Sequence, residues 1–387
     1  MQLEKLELLA PARNIDIGIA AINCGADAVY IAGPSFGARE SADNSIKEIA
    51  ALIRYAHRYR VKVYMVLNTI LFQNEIEQAE KITHSAYNAG CDALIIQDMG
   101  LLSANIAPMP LFASTQTYTR TPEDAVLMET LGFKRVILAR ELSLSQIREI
   151  REAVKIELEF FIHGSLCVGY SGRCYLSAAL TGRSANRGVC AQPCRSYYNL
   201  VDKNEKILRK NEALLSLKDL NLTAHISALA EAGVTSFKIE GRLKNISYVK
   251  NIVRHYRSVI DSLIQNSRRY EQASLGALYV GFTPNPQNTF NRGYTTLFID
   301  GERGHWKSEF GTRSMGEYIG KVKEGWKNKR GEYGFNCDTE LKLSNNDGLC
   351  FVSPKGKIIG AKVSGSDSGT VATTARENIP DNSEIFM

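Results

Sequence analysis

The chain has 387 residues, of which 47 are Lys or Arg and 41 are Asp or Glu, so its formal net charge at pH 7 is +6. A hydrophobic fraction of 44% is that of a globular protein and excludes a disordered or fibrous chain. The charged first residues and the lack of a run of about 18 apolar residues argue against a secretory signal and a membrane span. We therefore expect a cytoplasmic protein with no membrane association, two or three domains and eight reduced cysteines.

Short apolar runs alternate with amphipathic stretches, which predicts repeated βα units. The predicted strands are residues 6–9, 28–32, 61–67, 93–97, 111–115, 135–139 and 156–162. Apolar residues spaced by three and four predict helices near 46–56, 76–86 and 144–150. Residues 236–240 then predict an eighth strand and 246–264 a long helix, although 214–217 compete for the eighth place. The expected fold is α/β, a parallel βα (TIM-like) barrel.

The rest of the chain predicts an insertion and a smaller domain. We expect the barrel to occupy residues 1–270, with a cysteine-rich insertion at 165–212, straight after the seventh strand. Active sites of such barrels lie at that end. Residues 271–310 are rich in Pro, Asn and Gly and predict a linker. Alternating short strands in 311–387 predict a small C-terminal β-barrel, whose strand-like ending suggests a truncated form of a longer chain.

Four cysteines lie within 28 residues, in the pattern C-x6-C-x15-C-x3-C: Cys167, Cys174, Cys190 and Cys194. Thiolates are soft ligands, and four of them suit a 4Fe-4S cluster or a tetrahedral zinc ion. Zinc is the second choice, because structural zinc sites usually have a close cysteine pair in each half and only Cys190 and Cys194 form one. Tyr197 stands where a radical S-adenosylmethionine motif needs another cysteine, which disfavours that class. Four merely buried thiols are the remaining alternative.

Several segments around these cysteines resemble the peptidase U32 (collagenase-like) family. They are EFFIHGSLCVGYSGRCYLS at 159–177, GRSANRGVCAQPCR at 182–195, KIEGR at 238–242 and FNRGYTT at 290–296. The resemblance implies an iron–sulfur protein that supports hydroxylation, with branches acting on a cytidine of 23S ribosomal RNA, the wobble uridine of tRNA, or ubiquinone precursors. Residues 33–39 and 186–195 are most similar to the ribosomal RNA branch, whose members usually carry an additional C-terminal region.

For the branches that act on RNA, the resemblance implies prephenate as a co-substrate. Such an anion needs cationic anchors at the barrel mouth, and Arg140 and Arg242 are candidates because both follow a predicted strand. Ion pairs with neighbouring glutamates are an equal alternative for both arginines. His163 is a candidate for proton transfer beside the cluster, although a lone histidine is more often structural.

Further polar residues are candidates for binding the RNA. Asn68, Gln97 and Gln116 fall near strand ends, where they could contact a base edge. The cysteine-rich segment carries Arg173, Arg187 and Arg195 among tyrosines, a pattern that suits phosphate binding and stacking of unpaired bases. The sequence therefore predicts an iron–sulfur- and prephenate-dependent RNA hydroxylase, with 5-hydroxylation of a 23S ribosomal RNA cytidine preferred over the tRNA wobble uridine.

Two other functions stay open. The first is a U32-type peptidase, but neither a His-Glu-x-x-His zinc helix nor a Gly-x-Ser-x-Gly nucleophile elbow supports it. A cysteine peptidase that uses Cys167 and His163 as its catalytic pair would leave the three neighbouring cysteines unexplained. An iron–sulfur protein that only binds RNA is the non-enzymatic alternative. In that case removing the cluster should abolish the fold and RNA binding together.

Overall fold

A computed structural model describes residues 3–38, 44–276, 281–302, 304–308, 311, 312, 314, 316–337, 343–354, 358–367 and 369–387. The chain divides into two compact units. The first comprises Met1–Pro286 and Tyr294–Lys307, and the second Gln287–Gly293 and Ser308–Met387. Among the described residues, no helix has the length and apolar character needed to cross a membrane.

The first unit alternates strands with helices. Its strands are β1 (Glu4–Ala12), β2 (Ala28–Ala32), β3 (Lys62–Leu67), β4 (Ala93–Ile96), β5 (Leu111–Ala113), β6 (Arg135–Ile137), β7 (Glu157–Ser165), β8 (Tyr198–Val201), β9 (Ile207–Glu212), β10 (Asp219–Asn221), β11 (Val234–Ile239), β12 (Tyr270–Gln272) and β13 (Tyr294–Thr295). Its helices are α1 (Ile15–Asn23), α2 (Ile46–Ala56), α3 (Ile76–Asn88), α4 (Pro122–Thr130), α5 (Leu144–Ala153), α6 (Leu176–Thr181), α7 (Ile226–Glu231) and α8 (Ile246–Gln265). Capping boxes at Ser45 and Ser143 begin α2 and α5.

Eight strands form a closed parallel barrel in the order β1-β2-β3-β4-β5-β6-β7-β11. β11 closes the barrel by pairing with both β1 and β7, which confirms the predicted fold. The eighth place belongs to the strand predicted at 236–240, because residues 214–217 form a turn and an isolated bridge. β10 runs antiparallel beside β7, outside the closed ring.

An ionic network crosses the barrel interior. The Arg135 guanidinium lies 2.5 Å from Glu7 Oε1 and 3.0 Å from Glu159 Oε2. Glu159 also accepts a hydrogen bond of 2.6 Å from Lys238 Nζ. All four side chains are buried. Although burial alone would raise it, the charge of Arg135 holds the pKa of Glu7 below its ordinary value. The network thus joins Lys238 on β11 to charged side chains on β1, β6 and β7.

The second unit is a small antiparallel barrel. Its strands are β14 (Tyr318–Lys327), β15 (Tyr333–Cys337), β16 (Gly348–Val352), β17 (Ile358–Asp367), β18 (Thr370–Thr373) and β19 (Glu384–Phe386). They close in the order β14-β15-β18-β17-β16-β19 around a core that includes Val322, Phe335 and Phe351. This confirms the predicted C-terminal β-barrel. Within the stretch expected to be a linker, β12 pairs with β1, and β13 pairs with β10.

Candidate functional site

A cavity lies at the carboxyl ends of the barrel strands, where the cysteine-rich insertion covers the mouth. Barrel residues form one wall, among them Tyr30, Val66, Asn68, Ile95, Phe161 and Lys238. The insertion forms the other, with Cys167, Tyr170, Gly172, Cys174, Asn186 and Cys190. Substrates of βα barrels bind at this end, because the loops that follow the strands converge there. The insertion therefore contributes directly to the candidate site.

The four predicted ligands come together around this cavity. Cys167, Cys174 and Cys190 line it, and the thiols of Cys167 and Cys174 share a hydrogen bond. Cys194 is half-buried, and burial together with the charges of Cys167 and Cys190 raises its thiol pKa. The hydrogen bond to Cys167 and burial raise the pKa of Cys174. No three His, Cys, Asp or Glu side chains in the described ranges are arranged to hold a single metal ion.

Two glycines allow the insertion to pack this closely. Gly172 has a φ of +72°, and a Cβ there would lie 2.0 Å from the carbonyl oxygen of Gln116. A Cβ on Gly169 would come within 3.3 Å of the Cys174 sulfur. Any side chain at 172 would clash with fixed backbone, so glycine is required where the insertion contacts the loop after β5.

Two of the predicted RNA-binding arginines hold the insertion in place. Arg187 makes a forked ion pair with Glu75, with N–O distances of 2.6 and 2.7 Å, and donates to the carbonyl oxygen of Ile70. Arg195 donates to the carbonyl oxygens of Leu166 and Leu217 at 2.8 and 2.6 Å. Their RNA contacts stay a prediction, whereas these structural contacts account for both side chains.

Three cations face the cavity. The Arg140 guanidinium lies over the Phe161 ring at 5.2 Å and donates to the carbonyl oxygen of Ser165. Arg242 is buried and donates to the carbonyl oxygen of Ala38. Lys238 is the third, and sequence reasoning missed it. Its position in the sequence could have indicated it, because Lys238 stands between Phe237 and Ile239 in an apolar strand. A charge at such a position is buried and needs a specific partner.

The predicted polar residues take different positions. Asn68 and Gln116 line the cavity. Asn68 accepts a hydrogen bond from the Ala38 amide and donates to Ser114 Oγ. Gln97 is not among the lining residues. Its Nε2 is 3.5 Å from the Gln116 carbonyl oxygen, and its buried Oε1 has no hydrogen-bond partner in the described part of the chain.

His163 lies away from the cavity, in contact with α8. Its Nδ1 is 3.2 Å from the Tyr256 hydroxyl, and its ring also packs against Tyr248 and Tyr294. The register between β7 and β11 shifts here, since Lys238 pairs with Phe161 but Ile239 pairs with His163. This shift in register accounts for the position of the His163 side chain against α8 and outside the cavity. Burial lowers the pKa of His163 to about 3, so the ring is neutral at physiological pH.

The fold and site define a βα-barrel protein in which a cysteine-rich insertion covers a cavity lined by Arg140, Lys238 and Arg242 and by Glu240. The sequence profile of Peptidase family U32 matches residues 13–308. The chain belongs to this family.

Three curated relatives extend the comparison. The chain is 47% identical over 345 residues to the 23S rRNA 5-hydroxycytidine synthase of Escherichia coli, covering 89% of this chain and 52% of that protein. It therefore spans about half the length of that relative. It is 40% identical over 304 residues to an uncharacterized protease of Methanocaldococcus jannaschii, covering 76% and 72% of the two chains. It is 36% identical over 332 residues to a tRNA hydroxylation protein of Bacillus subtilis, covering 82% and 77%.

The buried state of His163 predicts a pH effect on stability. Its pKa is about 3 in the folded chain and near its ordinary 6.5 when unfolded, so only the unfolded state gains this proton between those values. Folding stability should therefore fall as pH falls from 6.5 towards 3, by at most about 1.4 kcal/mol per pH unit from this group. Denaturant unfolding at several pH values should show a shallower decline for His163→Gln. Equal slopes would contradict the assignment.

Proposed function

We propose that this chain belongs to an RNA base hydroxylase that carries a 4Fe-4S cluster and uses prephenate as a co-substrate. The proposal rests on one observation. Three cysteine thiols and three cationic side chains line the same cavity. The named activities of the Escherichia coli and Bacillus subtilis relatives support RNA as the substrate.

The donor set fits an iron–sulfur cluster. Cys167, Cys174, Cys190 and Cys194 would supply the four thiolates that such a cluster needs. The hydrogen bond to Cys167 raises the pKa of the Cys174 thiol and burial raises that of Cys194, and the charges of neighbouring thiolates raise both further. Thiolates gathered here would therefore favour a bound cationic group that offsets their repulsion. When bound, the cluster supplies redox chemistry at the cavity wall.

The cations suit a small dicarboxylate. Prephenate carries two carboxylates, and a guanidinium can bind a carboxylate through two parallel hydrogen bonds. Arg140 and Arg242 would supply these forks, and Lys238 a point charge. Glu159 holds Lys238 in place with a 2.6 Å contact, while the Tyr30 ring lies 4.6 Å from its Nζ. Phe161 and Tyr30 offer apolar surface to the ring of the acid.

A ribosomal RNA cytidine is the preferred target, with the tRNA wobble uridine as the alternative. The identity of 47% to the 23S enzyme against 36% to the tRNA protein favours the former. The base must leave its stack to reach a cavity behind the insertion, so the substrate would be unpaired or partly folded RNA. The structure does not support a peptidase in which His163 activates Cys167. The His163 ring is hydrogen-bonded to Tyr256 and does not line the cavity to which Cys167 contributes.

Replacing one ligand should remove the cluster and the activity together. Cys174→Ala protein, purified without oxygen, should lose its brown colour and most of its iron and sulfide. RNA from a deletion strain that expresses this variant should lack the hydroxylated base by mass spectrometry. Cys24→Ala, a buried cysteine outside the site, is the matched control and should keep both. Retention of colour and modification by Cys174→Ala would remove this residue from the ligand set.

Replacing one cation should affect the small acid alone. Arg242→Ala should weaken prephenate binding about tenfold or more, because one charged hydrogen-bonding group is worth about 1.5–3 kcal/mol. Iron content and colour should not change. Isothermal titration calorimetry on the iron-loaded protein measures this, with the exposed Arg58→Ala as control. Unchanged affinity in Arg242→Ala would exclude this arginine from the acid site.

A further inference from the structure

Two tyrosines and two arginines form a connected surface at the rim of the cavity. Tyr118 and Arg120 follow β5, whereas Tyr170 and Arg173 belong to the insertion. The tyrosine rings lie 5.5 Å apart at 58°. The Arg173 guanidinium stands 4.3 Å from the centre of the Tyr118 ring, and that of Arg120 lies 5.6 Å from both rings. We call these four residues the stacking platform.

Arg120 and Arg173 differ in their partners from Arg187 and Arg195, the two arginines that hold the insertion in place. Arg187 is neutralised by Glu75, and Arg195 is satisfied by carbonyl oxygens. Arg120 instead donates to the Tyr118 hydroxyl at 2.8 Å. Among the described residues, no carboxylate lies within ion-pair distance of the Arg120 or Arg173 guanidinium, although the charge of Glu141 acts on Arg120 from further away. Both guanidinium groups can therefore bind an external anion.

The backbone presents this surface at a conformational cost. Tyr118 has a φ of 64°, a left-handed conformation that is uncommon for a bulky residue. Such strain persists where surrounding contacts enforce it, and it is concentrated at functional sites. Close packing of Gly172 against the Gln116 carbonyl fixes the insertion next to Tyr118. These backbone contacts place the Tyr118 and Tyr170 rings beside each other.

The Tyr170 ring connects this surface to the cavity. Its side chain lines the cavity and is 56% exposed. A large aromatic side chain with this exposure offers a face to a planar ligand, and flanking guanidinium groups suit the phosphates on either side of a nucleobase.

We propose that the stacking platform binds the unpaired nucleotide next to the target base. The Tyr170 ring stacks on that base, Arg120 and Arg173 bind its flanking phosphates, and Tyr118 positions both arginines. This inference rests on the proposed function, because it assigns a place to the RNA of that reaction. The ligand chemistry is that of a single strand, since a paired base does not present its face to a ring.

The test compares single-stranded with double-stranded RNA on the full chain purified without oxygen. The probe is a fluorescein-labelled unstructured RNA of about ten nucleotides, a length near the site size of single-strand binders, alone or annealed to its complement. Anisotropy titrations at several salt concentrations give the affinity and its salt dependence. Tyr170→Leu should weaken binding of the single strand about tenfold, whereas Tyr170→Phe should bind like the wild type.

The contribution of the two arginines should be measurable in the salt dependence of RNA binding. Arg120→Gln with Arg173→Gln should reduce the slope of log affinity against log salt by about 0.7 for each lost phosphate contact. Tyr87→Leu and Arg58→Gln, two exposed positions away from the cavity, are the matched controls and should change neither quantity. Duplex binding should not depend on Tyr170.

The outcomes separate this inference from the proposed function. If the wild type hydroxylates RNA while Tyr170→Leu and the double arginine variant bind and modify it normally, the stacking platform is wrong and the function stands. The stacking platform would also be wrong if Tyr170→Leu weakened binding of duplex RNA as much as binding of the single strand. The same conclusion would follow if this variant weakened binding of an unstructured peptide to the same extent. If the wild type neither binds nor modifies RNA, the proposed function fails as well.

Discussion

The candidate site depends on the attachment of a segment with little regular structure over the mouth of a rigid barrel. Between Ser165 and β8 the insertion has only the six-residue helix α6 and short turns, so tertiary contacts must place its thiols. The fork between Arg187 and Glu75 is one of these contacts. Hydrogen bonding to Arg187 lowers the pKa of Glu75 to about 2, so the pair stays charged at neutral pH. Arg195 and Gly172 fix the same segment at two further points.

A second constraint comes from inside the barrel. Lys238 can stay buried beside the cavity because Glu159 balances its charge and Arg135 in turn balances Glu159. Breaking such a network leaves an uncompensated buried charge, which costs about 3–5 kcal/mol. The cationic wall of the cavity is therefore built on the same strands that form the core. Lys238 is thereby held at the cavity by its contact with Glu159.

Much of the fold could be predicted because parallel strands that are buried on both faces leave continuous apolar runs. The four cysteines were visible for a similar reason, since their spacing is local in sequence. The rest depended on geometry that sequence does not show. The partner of Arg187 lies 112 residues away, and the register shift that turns His163 towards α8 leaves no signal in its residue type. Tyr118 could not be placed either, because its left-handed backbone occurs at a residue that normally avoids it.

We propose that one cavity holds both an iron–sulfur cluster and a small dicarboxylate. The decisive experiment is electron paramagnetic resonance of the full chain, purified without oxygen and chemically reduced, with spectra recorded in the presence and absence of prephenate. We expect an iron–sulfur signal that changes when the acid binds, because Arg140, Lys238 and Arg242 share the cavity with three of the cysteines. Protein without iron, or a cluster signal that saturating prephenate leaves unchanged, would show that the cavity does not hold both groups.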